Sequence, residues 1–335
     1  MTKNTQIVLN ETPRGPLAES HFEVQSSDRP SIEDDQVLVR SVLLSLDAAN
    51  RAWMQGATYK SAVEPGQIMH GYALGEVVES RSSSWSVGDV VAGELGWQEY
   101  AAMDAASVRS VGDHRPLSHY HSLLGIAGIT AYHGLLTLFG IEEGETLLVS
   151  AAAGSVGSLV GQIGKIAGAR VVGIAGGPDK CRWVVEELGF DACIDYKNEK
   201  LSAALREHCP AGVDIYFDNV GGDILQAALF AMNLNGRISC CGAVSQYDVA
   251  KPTGPLGVPG LLVTKRLTMR GFIASDFPEH DADAIRDLGA WAASGKLKVV
   301  EDILDGIENA PAGLVGLLAG ENRGKRMVRV GPDPA

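Results

Sequence analysis

A glycine-rich stretch from Ala151 to Lys180, AAAGSVGSLVGQIGKIAGARVVGIAGGPDK, contains residues whose types and spacing could bind phosphate. The apolar run TLLVSAA that leads into it is typical of a buried strand, AGSVGS opens a helical pattern, and RVVGIAG is typical of a second strand. Gly154 and Gly157 would let the backbone approach a pyrophosphate, while the helix N-terminus would present amide groups and a positive dipole end. The stretch therefore predicts a dinucleotide site rather than a turn that binds nothing.

The end of the predicted second strand indicates which dinucleotide binds. An NAD site commonly has Asp or Glu about 20 residues after the turn, where the carboxylate binds the ribose diol. Here the strand ends in Ala175, Gly176 and Gly177, and Lys180 follows within one helical turn. Small residues leave room for a 2′-phosphate, and a lysine offers it a cationic partner. Asp179 and an ordinary surface role for Lys180 argue the other way, but the pattern favours NADPH over NADH.

The cysteines and histidines do not form the pattern of a metal site. The cysteines all lie in the second half of the chain, at Cys181, Cys193, Cys209, Cys240 and Cys241. None of them belongs to a C-x-x-C pair, whereas structural zinc needs four soft ligands at short loop spacings. The histidines His70, His114, His119 and His121 lack thiolates or carboxylates at ligand spacing. We therefore expect no bound metal.

Composition and charge exclude several classes of protein. The chain has 335 residues, of which 45% are hydrophobic, and a formal net charge of −13. Such acidity argues against nucleic acid or an anionic membrane surface as the main partner. No run approaches the roughly 18 apolar residues of a membrane span, and the N-terminal MTKNTQIVLNETPRG lacks the apolar core of a signal peptide. We expect a cytoplasmic protein.

Two different patterns divide the chain near Ser122. Before that residue, short segments such as QVLVRSVLLSLD and ALGEVVES, separated by Gly, Asp and Ser, predict a barrel-like β domain. After it, strand-like segments such as VDIYFDNV and GRISCCGAV alternate with helical segments such as PDKCRWVVEELG and DILQAALFAMNLN. Because both faces of these strands are apolar, the alternation predicts a doubly wound parallel sheet. The predicted fold class is α/β.

Six motifs spread over nearly the whole chain carry a resemblance to a known family. They are LSLDAANRAWM, GITAYHGL, AAAGSVGSLVGQIGKIAGARVVGIAGG, YFDNVGG, GRISCCGAVSQY and GENRGK. Together they resemble the zinc-independent medium-chain dehydrogenases/reductases, in the branch of leukotriene B4 dehydrogenase/prostaglandin reductases, alkenal double-bond reductases and curcumin reductase. The resemblance implies a GroES-like β-barrel catalytic domain at 1–122, a Rossmann NADP-binding domain at 123–293, and a segment 294–335 that returns to the catalytic domain. It also implies a homodimer formed through edge strands of the nucleotide domains.

The same resemblance implies a set of NADPH contacts, which run from the pyrophosphate to the nicotinamide. The pyrophosphate would lie near Gly154, Ser155, Val156 and Gly157, and the adenosine phosphate near Lys180 and Tyr196. The central part of the cofactor would follow Asn219, Cys241, Gly242, Ala243, Val244, Ser245 and Tyr247. The nicotinamide would lie beside Phe272, Ile273 and Ala274, and Asn322 would contact it from the tail.

The chemistry implied by this branch is reduction of the C=C bond in an α,β-unsaturated ketone or aldehyde. Hydride adds to the β-carbon, and negative charge develops on the carbonyl oxygen as an enolate. Hydrogen-bond donors at that oxygen would accelerate the step, and a proton must reach the α-carbon from a phenol or from water. Relatives that use zinc carry Cys and His ligands in the first domain, which has no cysteine here.

Two tyrosines found in many relatives are replaced in this chain, by Ala49 and by Thr264. Tyr72 in MHGYALG matches the tyrosine of plant double-bond reductases and is therefore the first candidate to contact the substrate oxygen. Tyr59 is a second candidate. Asn50 could donate a hydrogen bond in place of the missing phenol.

Two other functions remain open at this point. A quinone oxidoreductase would keep the fold and the cofactor but would deliver electrons to a flat diketone. A nucleotide-binding scaffold or sensor would bind NADPH without turnover, and the replaced tyrosines are consistent with it.

Overall fold

The computed structural model describes residues 3–58, 60–249 and 253–334. Its strands are β1 (Lys3–Leu9), β2 (Phe22–Asp28), β3 (Gln36–Ser45), β4 (Ala73–Ser80), β5 (Val90–Gly93), β6 (Tyr100–Asp104), β7 (Arg109–Ser110), β8 (Thr146–Ser150), β9 (Arg170–Ala175), β10 (Ala192–Asp195), β11 (Val213–Asp218), β12 (Met232–Cys240), β13 (Thr268–Gly271), β14 (Glu301–Asp305) and β15 (Lys325–Arg329). Its α-helices are α1 (Ala49–Trp53), α2 (Ile126–Tyr132), α3 (Ser155–Ile166), α4 (Pro178–Leu188), α5 (Leu201–His208), α6 (Gly222–Ala231), α7 (Val258–Lys265), α8 (Asp281–Ala293) and α9 (Ala310–Leu318).

The chain packs into two units, each with its own core. The first unit comprises Met1–Ser118, Glu301–Glu321 and Arg326–Ala335, and the second comprises His119–Val300 and Asn322–Lys325. The domain limits expected from the sequence, at 1–122, 123–293 and 294–335, stay a prediction.

A seven-stranded sheet in the order β14-β15-β3-β4-β5-β7 organises the first unit, with β6 paired to β3 and with β1 and β2 in a separate antiparallel pair. The long strand β3 pairs antiparallel with β4, β6 and β15. Most of its residues are buried, because it lies at the centre of the sheet. The β-rich pattern read from the sequence before Ser122 is confirmed.

A six-stranded sheet in the order β10-β9-β8-β11-β12-β13 organises the second unit. Every strand pair in it is parallel. All residues of β8 are buried, as expected for a strand covered on both faces. Strand order reverses between β8 and β11, and ligands of such sheets bind outside the carboxyl ends of the strands at that point. The predicted α/β fold with a doubly wound sheet is confirmed.

One helix is shorter than its sequence pattern suggests. The segment DILQAALFAMNLN predicts a helix to Asn235, but α6 ends at Ala231 and β12 begins at Met232. Met232 pairs with Val213 of β11 and enters the core of the second unit. Burial of the methionine within the sheet therefore outweighs the helical preference of the segment.

Candidate functional site

The glycine turn follows the carboxyl end of β8 and leads directly into α3. Gly154 is the N-cap of that helix and has extended backbone angles, and no side chain among the described residues caps the first turn. The amide groups of the first helical turn have no intrahelical partners, so they are available to a bound anion. The helix dipole adds positive potential at the same point. The turn therefore has the geometry of a phosphate cradle.

Two further features of the turn show that it fits a pyrophosphate. A Cβ atom on Gly157 would lie 2.3 Å from the carbonyl oxygen of Ala151, so no larger residue fits there without moving the backbone. The Ser155 hydroxyl is buried and has no hydrogen-bond partner within residues 3–58, 60–249 and 253–334. Burying a polar group without a partner is unfavourable, and a phosphate oxygen would supply the partner. The predicted group Gly154, Ser155, Val156 and Gly157 is thus assembled in one turn.

The adenosine end of the predicted site lies beyond β9. Gly177, with a φ of 100°, caps α4. A Cβ atom on Gly176 would lie 2.9 Å from Cε of Lys197 and 3.0 Å from Cε1 of Tyr196, so both side chains lie across this glycine. Lys180 occupies the first turn of α4, and its ammonium donates a hydrogen bond to the carbonyl oxygen of Asn322 at 2.5 Å. Two glycines without side chains leave room here for a phosphorylated ribose, and Lys180 and Lys197 supply positive charge.

Lys197 was missed by the sequence reasoning, as was the acidic residue beside it. Asp195, at the end of β10, accepts hydrogen bonds from the backbone amides of Gly177 at 2.8 Å and Lys197 at 3.1 Å. It also accepts one from Nδ2 of Asn198 at 2.7 Å. Burial works against its ionisation, but these hydrogen bonds outweigh that effect and lower the pKa of the carboxyl group. Asp195 therefore stays ionised and shapes the loop between β9 and α4. The available signal was the acid-tyrosine-lysine run in CIDYK, which consists of Asp195, Tyr196 and Lys197.

The central part of the predicted site is built around the carboxyl end of β11. Asn219 donates from its backbone amide to the Ser150 hydroxyl at 2.9 Å and from Nδ2 to the Ser150 carbonyl at 2.8 Å. The backbone amides of Cys241 and Gly242 both donate to the carbonyl oxygen of Asp218. The amide of Val244 donates to the carbonyl oxygen of Asn219. These bonds bring together Asn219 and the predicted segment Cys241, Gly242, Ala243, Val244, Ser245 and Tyr247.

A buried carboxylate supports this loop. Asp218 is 2% exposed and accepts hydrogen bonds from the Tyr216 hydroxyl at 2.7 Å and from the amides of Val220 and Gly221 at 3.0 and 2.9 Å. Burial nevertheless raises the pKa of the Asp218 carboxyl group, because desolvation disfavours its charged form. The sequence motif YFDNVGG contains this residue, but nothing in the motif indicates that the carboxylate points inward.

The residues predicted beside the nicotinamide follow β13. The Phe272 ring packs edge-on against Phe217, with 6.1 Å between the ring centroids. The amide of Ile273 donates to Oδ2 of Asp276 at 2.9 Å, and Ala274 is buried. Phe272 thus lies against the aromatic core of the second unit. Contact of these three residues with the cofactor stays a prediction.

Asn322 belongs to a short segment that packs on the phosphate turn. Its side-chain amide donates to the carbonyl oxygen of Gly324 at 2.8 Å, and the amide of Gly324 donates to the carbonyl oxygen of Ala153 at 2.9 Å. The sequence reasoning placed Asn322 at the nicotinamide and Lys180 at the adenosine phosphate. The structure joins the two residues directly, and neither assignment to one end of the cofactor is tested by it.

Among the catalytic candidates, Tyr72 lies in the first unit and is half-buried. Its ring lies beneath the Arg109 guanidinium, with 5.3 Å from Cζ to the ring centroid. Burial raises the pKa of the phenol, and the charge of Arg109 opposes that increase. Tyr72, Glu94 and Arg109 are among the residues that line a cavity of about 390 Å³. Tyr72 is therefore protonated at neutral pH and can act as a hydrogen-bond donor.

The other two catalytic candidates differ from Tyr72. Asn50 is 1% exposed; its Oδ1 accepts from the amide of Asp47 at 2.8 Å and its Nδ2 donates to the carbonyl oxygen of His70 at 3.0 Å. The side chain therefore holds the start of α1 against the loop that precedes Tyr72. Tyr59 lies outside the described residues.

The part of the chain that the structure describes contains neither a group of metal-ligand side chains nor a helix that could span a membrane. There, no three His, Cys, Asp or Glu side chains are grouped as metal ligands would be. No helix in the same part combines the length and the apolar character needed to cross a bilayer.

Known proteins match this chain over nearly its full length. Residues 5–111 match the N-terminal domain of oxidoreductases, and residues 155–291 match the family described as zinc-binding dehydrogenases. The NADPH-dependent curcumin reductase of Escherichia coli K12 is 42% identical over 339 residues, which cover 99% of this chain and 98% of that protein. The NADP(+)-dependent 2-alkenal reductase of Nicotiana tabacum is 38% identical over 335 residues, which cover 98% and 97%.

A solved structure agrees with these relatives. The crystal structure of CurA from Vibrio vulnificus in complex with NADPH has a TM-score of 0.94 and 38% identity, covering 98% of this chain and 100% of that one. Similarity at this level over full length shows family membership and confirms the resemblance read from the six motifs. The chain belongs to the zinc-independent branch of the medium-chain dehydrogenase/reductase family, with the curcumin and alkenal reductases.

Proposed function

We propose that this protein reduces the C=C bond of α,β-unsaturated ketones and aldehydes with NADPH. The observation that carries the proposal is the identity of 42% over the whole chain with an NADPH-dependent curcumin reductase. The glycine turn, Lys197 beside Gly176 and Lys180 in the first turn of α4 provide independent support, because they fit a phosphorylated dinucleotide.

The residues of the second unit would hold the cofactor, which supplies a hydride to the β-carbon of the substrate when it is bound. Gly154, Ser155, Val156 and Gly157 would bind the pyrophosphate with first-turn amides and the Ser155 hydroxyl. Lys180, Tyr196 and Lys197 would surround the 2′-phosphate. Asn219 and the 241–247 loop would fix the central part, because backbone hydrogen bonds already hold that loop to β11.

In the first unit, the Tyr72 phenol would donate a hydrogen bond to the carbonyl oxygen of the substrate. That oxygen gains negative charge as the β-carbon accepts hydride, so the bond strengthens in the transition state. A proton from water completes the reaction at the α-carbon, and the saturated ketone or aldehyde is the product.

A substrate panel tests the proposed function. Purified protein is incubated with linear enones, enals and 1,4-quinones, with NADPH and NADH in separate reactions, and loss of absorbance at the nicotinamide band is measured. We expect turnover of enones with NADPH, one saturated product per cofactor consumed, and a much lower rate with NADH. Faster turnover of quinones than of any enone would favour the quinone oxidoreductase reading, and saturable NADPH binding without turnover would favour a sensor.

We also infer that the protein forms a homodimer through the edge of the parallel sheet. Within the described residues, β13 pairs only with β12, so its outer edge is open to a second strand. Exposed apolar side chains occur in and just before α7, the helix that precedes β13 in the chain: Leu256 is 82% exposed and Val263 is 75% exposed. An open edge strand together with large exposed apolar residues in the same unit fits a second copy of the same chain.

Light scattering after size exclusion tests this dimer. Wild-type protein should elute with twice the mass of one chain, and Val263→Asp should shift the population toward monomer. Val87→Asp is the matched control, because Val87 is 67% exposed in the first unit. A wild-type monomer at micromolar concentration would contradict the inference. We further propose a cytoplasmic location, which fractionation of the source cells tests.

A further inference from the structure

The pair formed by Tyr72 and Arg109 results from the register of three strands. Ala73 of β4 is opposite Gly93 of β5, and Ala92 of β5 is opposite Arg109 of β7. Tyr72, which immediately precedes β4, and Arg109 therefore lie on either side of the end of β5. Because β5 contributes only Ala92 and Gly93 there, the two long side chains can meet above it, and the guanidinium covers the phenol ring.

Among the residues that line the cavity, Arg109 is the cation and Glu94 is the carboxylate. Glu94, which also lines the cavity, is 2.5 Å from Nζ of Lys60, so its carboxylate is already paired. Arg109 makes no ion pair with a carboxylate of residues 3–58, 60–249 or 253–334. Its positive charge therefore acts on the Tyr72 phenol and on the cavity of about 390 Å³. A cation over an aromatic face is attracted by the ring itself, which holds the pair together.

We propose that Arg109 is a positioning residue of the reductase, which fixes the Tyr72 ring and makes its hydroxyl a stronger hydrogen-bond donor to the carbonyl oxygen of an enone or enal. A nearby positive charge stabilises any shift of negative charge onto the phenol oxygen, so the O–H group donates more strongly as the enolate forms. The phenol keeps its proton throughout. This inference rests on the proposed function.

The pKa of Tyr72 is consistent with such a role. Burial raises it, the charge and the hydrogen bond of Arg109 lower it, and the charge of Glu94 raises it. Removing the guanidinium should therefore leave the burial effect unopposed and make the phenol a weaker donor.

A double-mutant cycle tests the proposal. The variants are Arg109→Met, Arg109→Lys, Tyr72→Phe and the double variant Arg109→Met/Tyr72→Phe, assayed with a linear enone at saturating NADPH. We expect Arg109→Met to lower kcat about tenfold with little change in KM, because the lost interaction strengthens in the transition state. Arg109→Lys should recover most of the rate. In the Tyr72→Phe background, Arg109→Met should have no further effect.

The chain offers a matched control for this cycle. Arg29 covers the Tyr100 ring with 5.0 Å from Cζ to the ring centroid, also in the first unit. Arg29→Met removes the same kind of contact away from the cavity and should retain wild-type kcat. Equal rates for Arg109→Met and Arg29→Met would overturn the proposal, as would effects of Arg109→Met and Tyr72→Phe that simply multiply.

A second measurement separates the pair from the proposed function. Protein labelled with 13Cζ-tyrosine is titrated by NMR, and the Tyr72 resonance is identified by its absence in Tyr72→Phe. Arg109→Met should raise the pKa of Tyr72, because the charge and the hydrogen bond that lower it are removed, and an unchanged pKa would overturn the proposal. If wild-type protein reduces no enone, the proposed function fails, and this titration still decides whether Arg109 acts on Tyr72. Circular dichroism melts establish that each variant is folded.

Discussion

The ammonium of Lys180 and the carbonyl oxygen of Asn322 are joined by a hydrogen bond of 2.5 Å, although 142 positions separate the two residues. Asn322 belongs to the segment whose Gly324 amide donates to the carbonyl oxygen of Ala153, next to the phosphate turn. Lys180, which is predicted to lie at the adenosine end, is therefore connected through two hydrogen bonds and one short segment to the turn that is predicted to bind the pyrophosphate. A 2′-phosphate that attracts the Lys180 ammonium would compete with the Asn322 carbonyl oxygen for this hydrogen bond.

The first prediction concerns Lys180. Replacing Lys180 with Met removes a cation from the 2′-phosphate, whereas the remainder of the nucleotide keeps its contacts. Charge-assisted hydrogen bonds contribute about 1.5–3 kcal/mol, so binding of 2′,5′-ADP should weaken about tenfold or more. Calorimetry should show 5′-AMP binding unchanged. Lys296→Met, at an exposed lysine of the same unit, is the control; equal weakening of both nucleotides would contradict a role specific to the phosphate.

The second prediction concerns Lys197, whose side chain lies across Gly176 beside Tyr196. Lys197 is exposed, and exposed ion pairs contribute about 0.2–1 kcal/mol. Lys197→Met should therefore weaken 2′,5′-ADP about threefold in dilute buffer, and the difference from wild type should shrink as salt screens the charge. Calorimetry at two ionic strengths measures both effects. A difference that does not respond to salt would show that the lysine acts only by supporting Tyr196.

Local patterns made the phosphate turn predictable from sequence. A buried strand, two glycines and a helix start lie within a few residues of one another, so no long-range contact was needed to place Gly154 and Gly157 together. The replacement of an acid by Gly176 and Gly177 was likewise visible in the sequence, and so was the alternation that predicts the parallel sheet.

Contacts that depend on strand register were not visible in the sequence. Asp195 and Lys197 reach Gly176 and Gly177 because β10 lies beside β9. Arg109 reaches Tyr72 only because β5 lies between β4 and β7 and ends in small residues. The helix predicted from the sequence likewise ran past Ala231, where α6 ends, because the sequence does not show that Met232 enters the sheet.

The third prediction concerns the close approach within the phosphate turn. A Cβ atom at position 157 would lie 2.3 Å from the Ala151 carbonyl oxygen, so Gly157→Ala must displace the turn. Overpacking of this kind costs about 1–3 kcal/mol, and we expect it to lower Tm and to weaken NADPH binding at least about tenfold. NADPH fluorescence and thermal melts measure the two effects. Gly15→Ala, where nothing lies within 4 Å of the added atom, should match wild type in both; wild-type affinity in Gly157→Ala would show that the turn does not bind the pyrophosphate.

The fourth prediction concerns the pH dependence of stability that arises from Asp218. Burial raises its pKa in the folded protein above the ordinary value of 3.8, so the folded state holds the proton more tightly than the unfolded state does. The resulting stabilisation is fully present below pH 3.8 and is lost as the pH rises through the folded pKa. Asp218→Asn cannot titrate and keeps the Oδ1 atom, which accepts from the Tyr216 hydroxyl and from the amides of Val220 and Gly221. The free energy of unfolding of the variant, relative to wild type, should therefore increase as the pH rises from about 4 to 7.

Urea unfolding at a series of pH values measures this difference, and Asp28 provides a contrast of opposite sign. The hydrogen bond and the charge of Lys3 lower the pKa of Asp28, so its stabilisation is present above pH 3.8 and is lost only as the pH falls below that value. Asp28→Asn should thus track wild type between pH 4 and 7. The free energy of unfolding of Asp218→Asn relative to wild type could instead stay constant over this range. In that case the hydrogen bonds that Asp218 accepts fully offset the effect of burial on its pKa, and the carboxylate is ionised in the folded protein.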